Sequence, residues 1–166
     1  MAYRESAELG SFGEKVVTDL FETGGIKCEK NSASGRSQLI EFDLKCTLEN
    51  KVFTVECKFD AMARKSGNIA IEYYNTRQSK PSGIKATKAD LWVVVLRNPQ
   101  DVFLTSVKLL TGYCESNRPH KNIASGGDNN SAMWLYRMEN ILPVAFFPLD
   151  GLKPEELQEI TFDLLG

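Results

Sequence analysis

No apolar run in this chain of 166 residues approaches the ~18–20 residues that a membrane-spanning helix needs, and Met1-Ala2-Tyr3-Arg4-Glu5-Ser6 leads into no apolar signal region. The expectation is therefore a soluble, cytoplasmic protein with no membrane partner. No Cys-x-x-Cys pair occurs among Cys28, Cys46, Cys57 and Cys114, and the single histidine, His120, lies far from all four. Structural zinc sites rely on closely paired ligands, so buried, reduced thiols are the better reading. There is no internal repeat, no low-complexity tract, and no Pro/Gly/Ser stretch long enough to separate domains. With 42% hydrophobic and 25% charged residues, 1–166 reads as one ordinary domain.

An excess of either charge is also missing, since 20 Lys and Arg face 22 Asp and Glu, but the distribution is uneven. Residues 1–57 carry 7 basic and 10 acidic side chains, residues 58–88 carry 7 and 2, and residues 89–166 carry 6 and 10. The middle segment holds Lys58, Arg64, Lys65, Arg77, Lys80, Lys85 and Lys88 together with Tyr73, Tyr74 and Gln78. Cations interleaved with aromatics suit phosphate contacts and base stacking. A solvated loop would have the same composition, so charge alone does not decide.

Periodicity predicts the elements. Leu9, Phe12, Val16, Val17, Leu20 and Phe21 recur at helical spacing until Gly24-Gly25, which predicts a first helix over about 6–23. Leu39 to Cys46 and Val52 to Phe59 alternate, and Leu48-Glu49-Asn50-Lys51 between them reads as a tight turn, making an antiparallel hairpin. Ala70 to Ser79 reads as a helix in which Tyr73 and Arg77 are neighbours, ended by Pro81-Ser82-Gly83. Leu91 to Leu96 is a continuous apolar run, the signature of a strand buried on both faces. Val102 to Leu104 predicts a short strand, Ser106 to Cys114 a helix, and Met133 to Arg137 with Val144 to Phe147 the last strands. Ser125 to Ser131 reads as a flexible turn and His120 as a solvated loop residue. Pro154-Glu155-Glu156 opens a terminal helix with proline and carboxylates in its first turn. The fold class is thus α/β, a mixed central sheet flanked by helices.

A turn centred between Glu49 and Asn50 pairs residues whose numbers sum to 99, which sets Asp43 opposite Glu56. Opposed side chains have Cβ atoms about 4.5–5.5 Å apart, and like charges there are destabilising. A cation between them relieves the repulsion, and Mg²⁺, which takes one or two carboxylates plus waters and phosphate oxygens, suits the site. Lys58 shares that face, while the other face of the hairpin is almost wholly apolar. Two carboxylates and a lysine are minimal equipment for metal-assisted phosphodiester hydrolysis. The competing explanation is a hairpin face that is polar because it is wet, its charges forming weak surface pairs.

Asp43, then Glu56-Cys57-Lys58 on the next strand, after a helix carrying Glu14, resembles the PD-(D/E)XK nuclease superfamily. The resemblance covers roughly residues 6–97 and implies a restriction-endonuclease-like core of order αβββαβ, with 98–166 as C-terminal elaboration. It implies Asp43 and Glu56 as metal ligands, the Cys57 carbonyl as a third, Lys58 as the catalytic lysine, and Glu14 as a first-helix carboxylate directed at the metal. Mg²⁺, with Mn²⁺ as substitute, would be the cofactor, and DNA the partner; from the composition of the middle segment, Arg64, Lys65, Tyr73, Arg77, Lys80, Lys85 and Lys88 are the residues expected to contact it. Phe42 stands where the motif's proline would be, and Glu72 stands near the position where the exonuclease branch carries glutamine. The implied activity is therefore a small endonuclease, resolvase-like or phage-type, selective for DNA structure or branching and often a homodimer. If phage-encoded, it would act in the host cytoplasm. An exonuclease, a non-catalytic nucleic-acid-binding module on the same fold and a purely structural domain are the alternatives.

Overall fold

The computed structural model describes residues 3–31, 42–97, 100–124 and 130–166, with the side chains of 3–9 left aside. Leu39 to Glu41 of the expected first strand, the side chain of Leu9, and most of the Ser125–Ser131 turn lie outside the described residues. The chain begins with α1 (Tyr3–Thr23), whose apolar stripe ends at Gly24-Gly25, where Gly25 takes a φ of 84° that lets the chain reverse. Then come β1 (Lys27–Lys30), β2 (Leu44–Leu48), β3 (Lys51–Asp60) and the single turn α2 (Ala63–Ser66). β4 (Asn68–Asn75), β5 (Lys80–Pro81) and a 3-10 turn at Gly83–Lys85 precede β6 (Leu91–Leu96) and β7 (Val102–Ser106). The remainder is α3 (Val107–Ser116), β8 (Lys121–Ile123), β9 (Ser131–Arg137), α4 (Met138–Ala145), β10 (Phe147–Pro148) and α5 (Pro154–Leu165).

Among the described residues these strands form two sheets, a mixed one in the order β1-β2-β3-β6-β7-β10 and an antiparallel one in the order β5-β4-β9-β8. β3 and β6 are the parallel pair at the centre of the first. The run Leu91–Leu96 is buried at every position because it has an apolar layer on each side. Leu91, Val93 and Val95 face Val17 and Phe21 of α1, Leu44, Phe53 and Val55 of the hairpin, and Leu157 of α5. Trp92, Val94 and Leu96 face Ile69 and Ile71 of β4, Tyr136 of β9, Leu110 of α3 and Ile141 of α4.

Two expectations are corrected. Residues 70–79 are not a helix: β4 runs Asn68–Asn75, with Ile69 and Ile71 buried and Ala70 and Glu72 half-buried, a two-residue period that a sheet satisfies and a helix does not. Tyr73 and Arg77 are consequently not helical neighbours, since Arg77 lies in the turn after the strand. Val144 to Phe147 is not a strand either. Ile141 and Ala145, four apart, bury one stripe of α4, Val144 points outward at 71% exposure, and Phe147 alone continues into β10. No described helix is long and apolar enough to cross a membrane.

Candidate functional site

The two-residue turn at Glu49-Asn50, with Glu49 at φ 56°, sets the hairpin register. Pairs run from Leu48↔Lys51 to Leu44↔Val55, so paired numbers sum to 99 as the sequence predicts. Asp43 is the first residue beyond the ladder. Its N–H donates to the Val55 carbonyl at 3.0 Å, and its carboxylate Oδ2 accepts from the Cys57 N–H at 2.8 Å. Asn31, just past β1, holds the same segment, donating its N–H to the Asp43 carbonyl at 2.9 Å and its amide to the Phe42 carbonyl at 2.9 Å.

Glu56 and Lys58 project from the same face of β3. Lys58 Nζ stands 3.0 Å from Glu56 Oε1 and 5.3 Å from the Trp92 ring centroid. The other carboxylate oxygen, Glu56 Oε2, accepts from the Thr87 hydroxyl at 3.3 Å. Glu14 comes from the opposite side, on α1. Gly13 makes this approach close, since a Cβ there would lie 3.3 Å from the Phe59 Cβ, while Phe12 and Phe59 meet edge to face with centroids 5.6 Å apart. Glu14 Oε2 lies 3.1 Å from Lys30 Nζ.

The charge on Asp43 is disfavoured where it stands. Burial, followed by repulsion from Glu56 and Glu14, raises the Asp43 carboxyl from its ordinary 3.8 to about 6, against the opposing pull of the Cys57 N–H and Lys58. For Lys58 burial works downward, but Glu56, by charge and hydrogen bond, together with Glu72 and Asp43, lifts the net value above the ordinary 10.5. Lys58 is thus an ammonium at neutral pH, and about a third of its side chain stays exposed. Glu72, Lys58, Asp60 and Met133 share the lining of a groove of about 600 Å³ between β3 and the second sheet.

The structure brings Asp43, Glu56 and Lys58 to one end of the hairpin, with Glu14 within electrostatic reach of Asp43. Among the described residues no three His, Cys, Asp or Glu side chains converge closely enough to hold a metal ion. An oxygen-only pair of carboxylates does fit Mg²⁺, which keeps several waters and needs one or two carboxylates from protein. A cation would also lift the burden that pushes Asp43 upward.

The basic segment is dispersed over several short elements and turns. Lys65 is exposed on α2, Arg77 and Lys80 are exposed around the β4–β5 turn, and Lys88 is exposed just before β6. Arg64 forms a forked pair with the Asp101 carboxylate. Tyr73 stacks on Trp134 with centroids 4.4 Å apart and donates its hydroxyl to Asn122 Oδ1 at 2.7 Å. Lys85 Nζ stands 5.3 Å from both ring centroids. Sequence reasoning missed Lys30, Trp92 and Asn31 as neighbours of the site. Trp92 carried a legible signal, because alternation in a two-faced strand must turn one of its faces toward the Glu56 side.

No protein-family model matches the chain, and no curated protein sequence matches it. Among solved structures, the chain is similar to a bacterial homing endonuclease, I-Ssp6803I, with a TM-score of 0.50 and 17% identity, over 63% of this chain and 70% of that one. The likeness is one of fold.

Proposed function

We propose that the protein is a Mg²⁺-dependent DNA endonuclease of the PD-(D/E)XK type, with Mn²⁺ as a working substitute. The observation that carries this reading is the cluster of Asp43, Glu56 and Lys58 at the open end of one hairpin, with Asp43 driven toward protonation by burial and by Glu56. The likeness of fold to a homing endonuclease supports it. In this reading Asp43 and Glu56 hold the cation. The N–H and C=O of a strand residue project to the same side, so the Cys57 carbonyl faces the edge on which its N–H meets Asp43 and serves as a further oxygen.

Bound there, the metal would lower the pKa of a water and neutralise a phosphoryl oxygen. Asp43 stays fixed by the Cys57 N–H, and Thr87 fixes the outer oxygen of Glu56. Lys58, permanently charged, orients the attacking water or stabilises charge building on the phosphoryl oxygens. Glu14, tethered by Lys30, adds negative field from the helix side. Lys65, Arg77, Lys80 and Lys88 supply phosphate contacts, Tyr73 and Lys85 a mixed aromatic and cationic contact, and Arg64 contributes only by leaving Asp101. In the same reading the enzyme is selective for DNA structure or branching and acts as a homodimer that cuts both strands.

The test is cleavage of supercoiled, linear, single-stranded, flapped and four-way-junction DNA in Mg²⁺, Mn²⁺ or EDTA, with wild type, Lys58→Ala and Glu56→Ala. Metal-dependent nicking that both variants lose, with folding intact by circular dichroism, is the expected result. DNA binding without cutting in either metal would overturn the catalytic reading and leave a binding module.

A further inference from the structure

Cys28 on β1 and Cys46 on β2 are directly paired across the ladder, and their sulfurs lie 3.3 Å apart. Nothing in the proposed chemistry uses them. Among the described residues β1 is the outermost strand of its sheet, and Cys28 on it is half-buried, whereas Cys46 is fully buried. The Cys28 thiol is also 3.7 Å from the Ile26 carbonyl. The sulfurs also share a hydrogen bond in which either thiol can be the donor. Because Cys28 is partly open to solvent and Cys46 is not, Cys28 is the sulfur that meets an oxidant and Cys46 the one that waits behind it; the hydrogen bond to Cys28, followed by burial, also raises the Cys46 thiol.

We infer that Cys28 and Cys46 are an oxidation site, closing to an intrachain disulfide when a peroxide reaches Cys28. Cys28 sulfur attacks one peroxide oxygen, the O–O bond breaks, and one water leaves as the sulfenic acid forms. Cys46 sulfur then attacks Cys28 sulfur, the S–O bond breaks, and the second water leaves with the Cys46 proton. Two thiols are oxidised and one hydrogen peroxide is reduced to two waters. The sulfurs must close from 3.3 Å to about 2.05 Å, a movement that a four-residue strand can make. The bond would fasten β1 to β2 three residues before Asn31, whose two hydrogen bonds hold the Phe42–Asp43 backbone.

The experiment treats the full chain with hydrogen peroxide and follows free thiols, intact mass and the peptide map. The expected product has lost two of its four thiols and about 2 Da, carries a Cys28–Cys46 linked peptide, and melts at a higher temperature than the reduced chain. Cys28→Ser, at the half-exposed position, abolishes the linked peptide, and Cys114→Ser leaves it. Retention of four thiols, or oxidation of Cys28 to sulfinic acid with Cys46 still free, would overturn the inference. None of these readouts depends on nuclease activity, so the result stands apart from the fate of the proposed function.

Discussion

Replacing Asp43 with asparagine keeps the shape of the side chain and the oxygen that the Cys57 N–H uses, while removing the charge that burial and Glu56 disfavour. In the native chain Asp43 titrates near 6, against 3.8 for an ordinary aspartate. Between those values the native state binds more protons than the unfolded state, so stability falls as pH rises through the window and the full penalty applies above it. At ~1.4 kcal/mol per pH unit the penalty is about 3 kcal/mol. The expected outcome of Asp43→Asn, in EDTA, is a chain more stable than wild type by up to that amount at pH 7. The gain shrinks as pH falls through the window and reaches near zero only below the ordinary aspartate value, at about pH 3. In a protein of this size it corresponds to a rise in melting temperature of about 6–12 °C. Urea unfolding across that pH range measures the difference directly. Mg²⁺ should narrow it by stabilising the wild type, because only the wild type gains from binding at that carboxylate. A variant less stable than wild type at pH 7, or a difference that ignores pH, would refute the account of Asp43 as a strained carboxylate and remove the main physical support for a cation there.

Gly83 takes a φ of 54° against β4, where a Cβ would lie 2.7 Å from the Glu72 carbonyl carbon and closer still to its oxygen. The obstacle is backbone, so Gly83→Ala should cost about 2 kcal/mol or more, read from urea midpoints, and displace Lys85 from its ring pair; an unchanged midpoint would sink this. Lys80 and Lys88 are exposed with no acidic partner among the described salt bridges, so the double variant Lys80→Ala, Lys88→Ala should bind DNA more weakly. If both touch phosphate, the slope of log affinity against log salt should become shallower by about 2, whereas an unchanged slope would take both off the DNA path.

The hairpin was legible because a two-residue turn leaves one register, and the apolar set Leu44, Cys46, Phe53 and Val55 would face water after a one-residue slip. α1 and β6 were legible for the same kind of reason, a long stripe in one and six consecutive apolar residues in the other. β4 was misread because Tyr73 and Arg77 stand four apart, a spacing that says little once Ile69, Ile71 and Tyr73 are seen to alternate. Val144 to Phe147 combines a β-branched residue with aromatics, which suits a strand, yet Val144 and Ala145 close α4, a helix of eight residues that accommodates Pro143. β1 offers four residues, Lys-Cys-Glu-Lys, with no buried member, so its pattern was silent; only its pairing with β2 defines it. In the site, the carboxylates and Lys58 came from spacing. Lys30, Asn31 and Thr87 depend on which distant segments meet, and a linear pattern does not carry that.

The second sheet joins β4, encoded before β6, to β9, encoded after α3, and this has a consequence for the chain's divisibility. A protein ending at residue 97 would contain every residue proposed for chemistry, yet it would leave the β4 edge from Asn68 to Asn75 without the strand that pairs it along its length. It would also strip Leu104 and Leu157 from one apolar layer and Tyr136 and Ile141 from the other. An open edge beside two uncovered layers is a template for self-association. Shortening from the C-terminal side should therefore yield aggregates instead of a minimal nuclease. The acidic residues sit on a framework that only the whole chain can close.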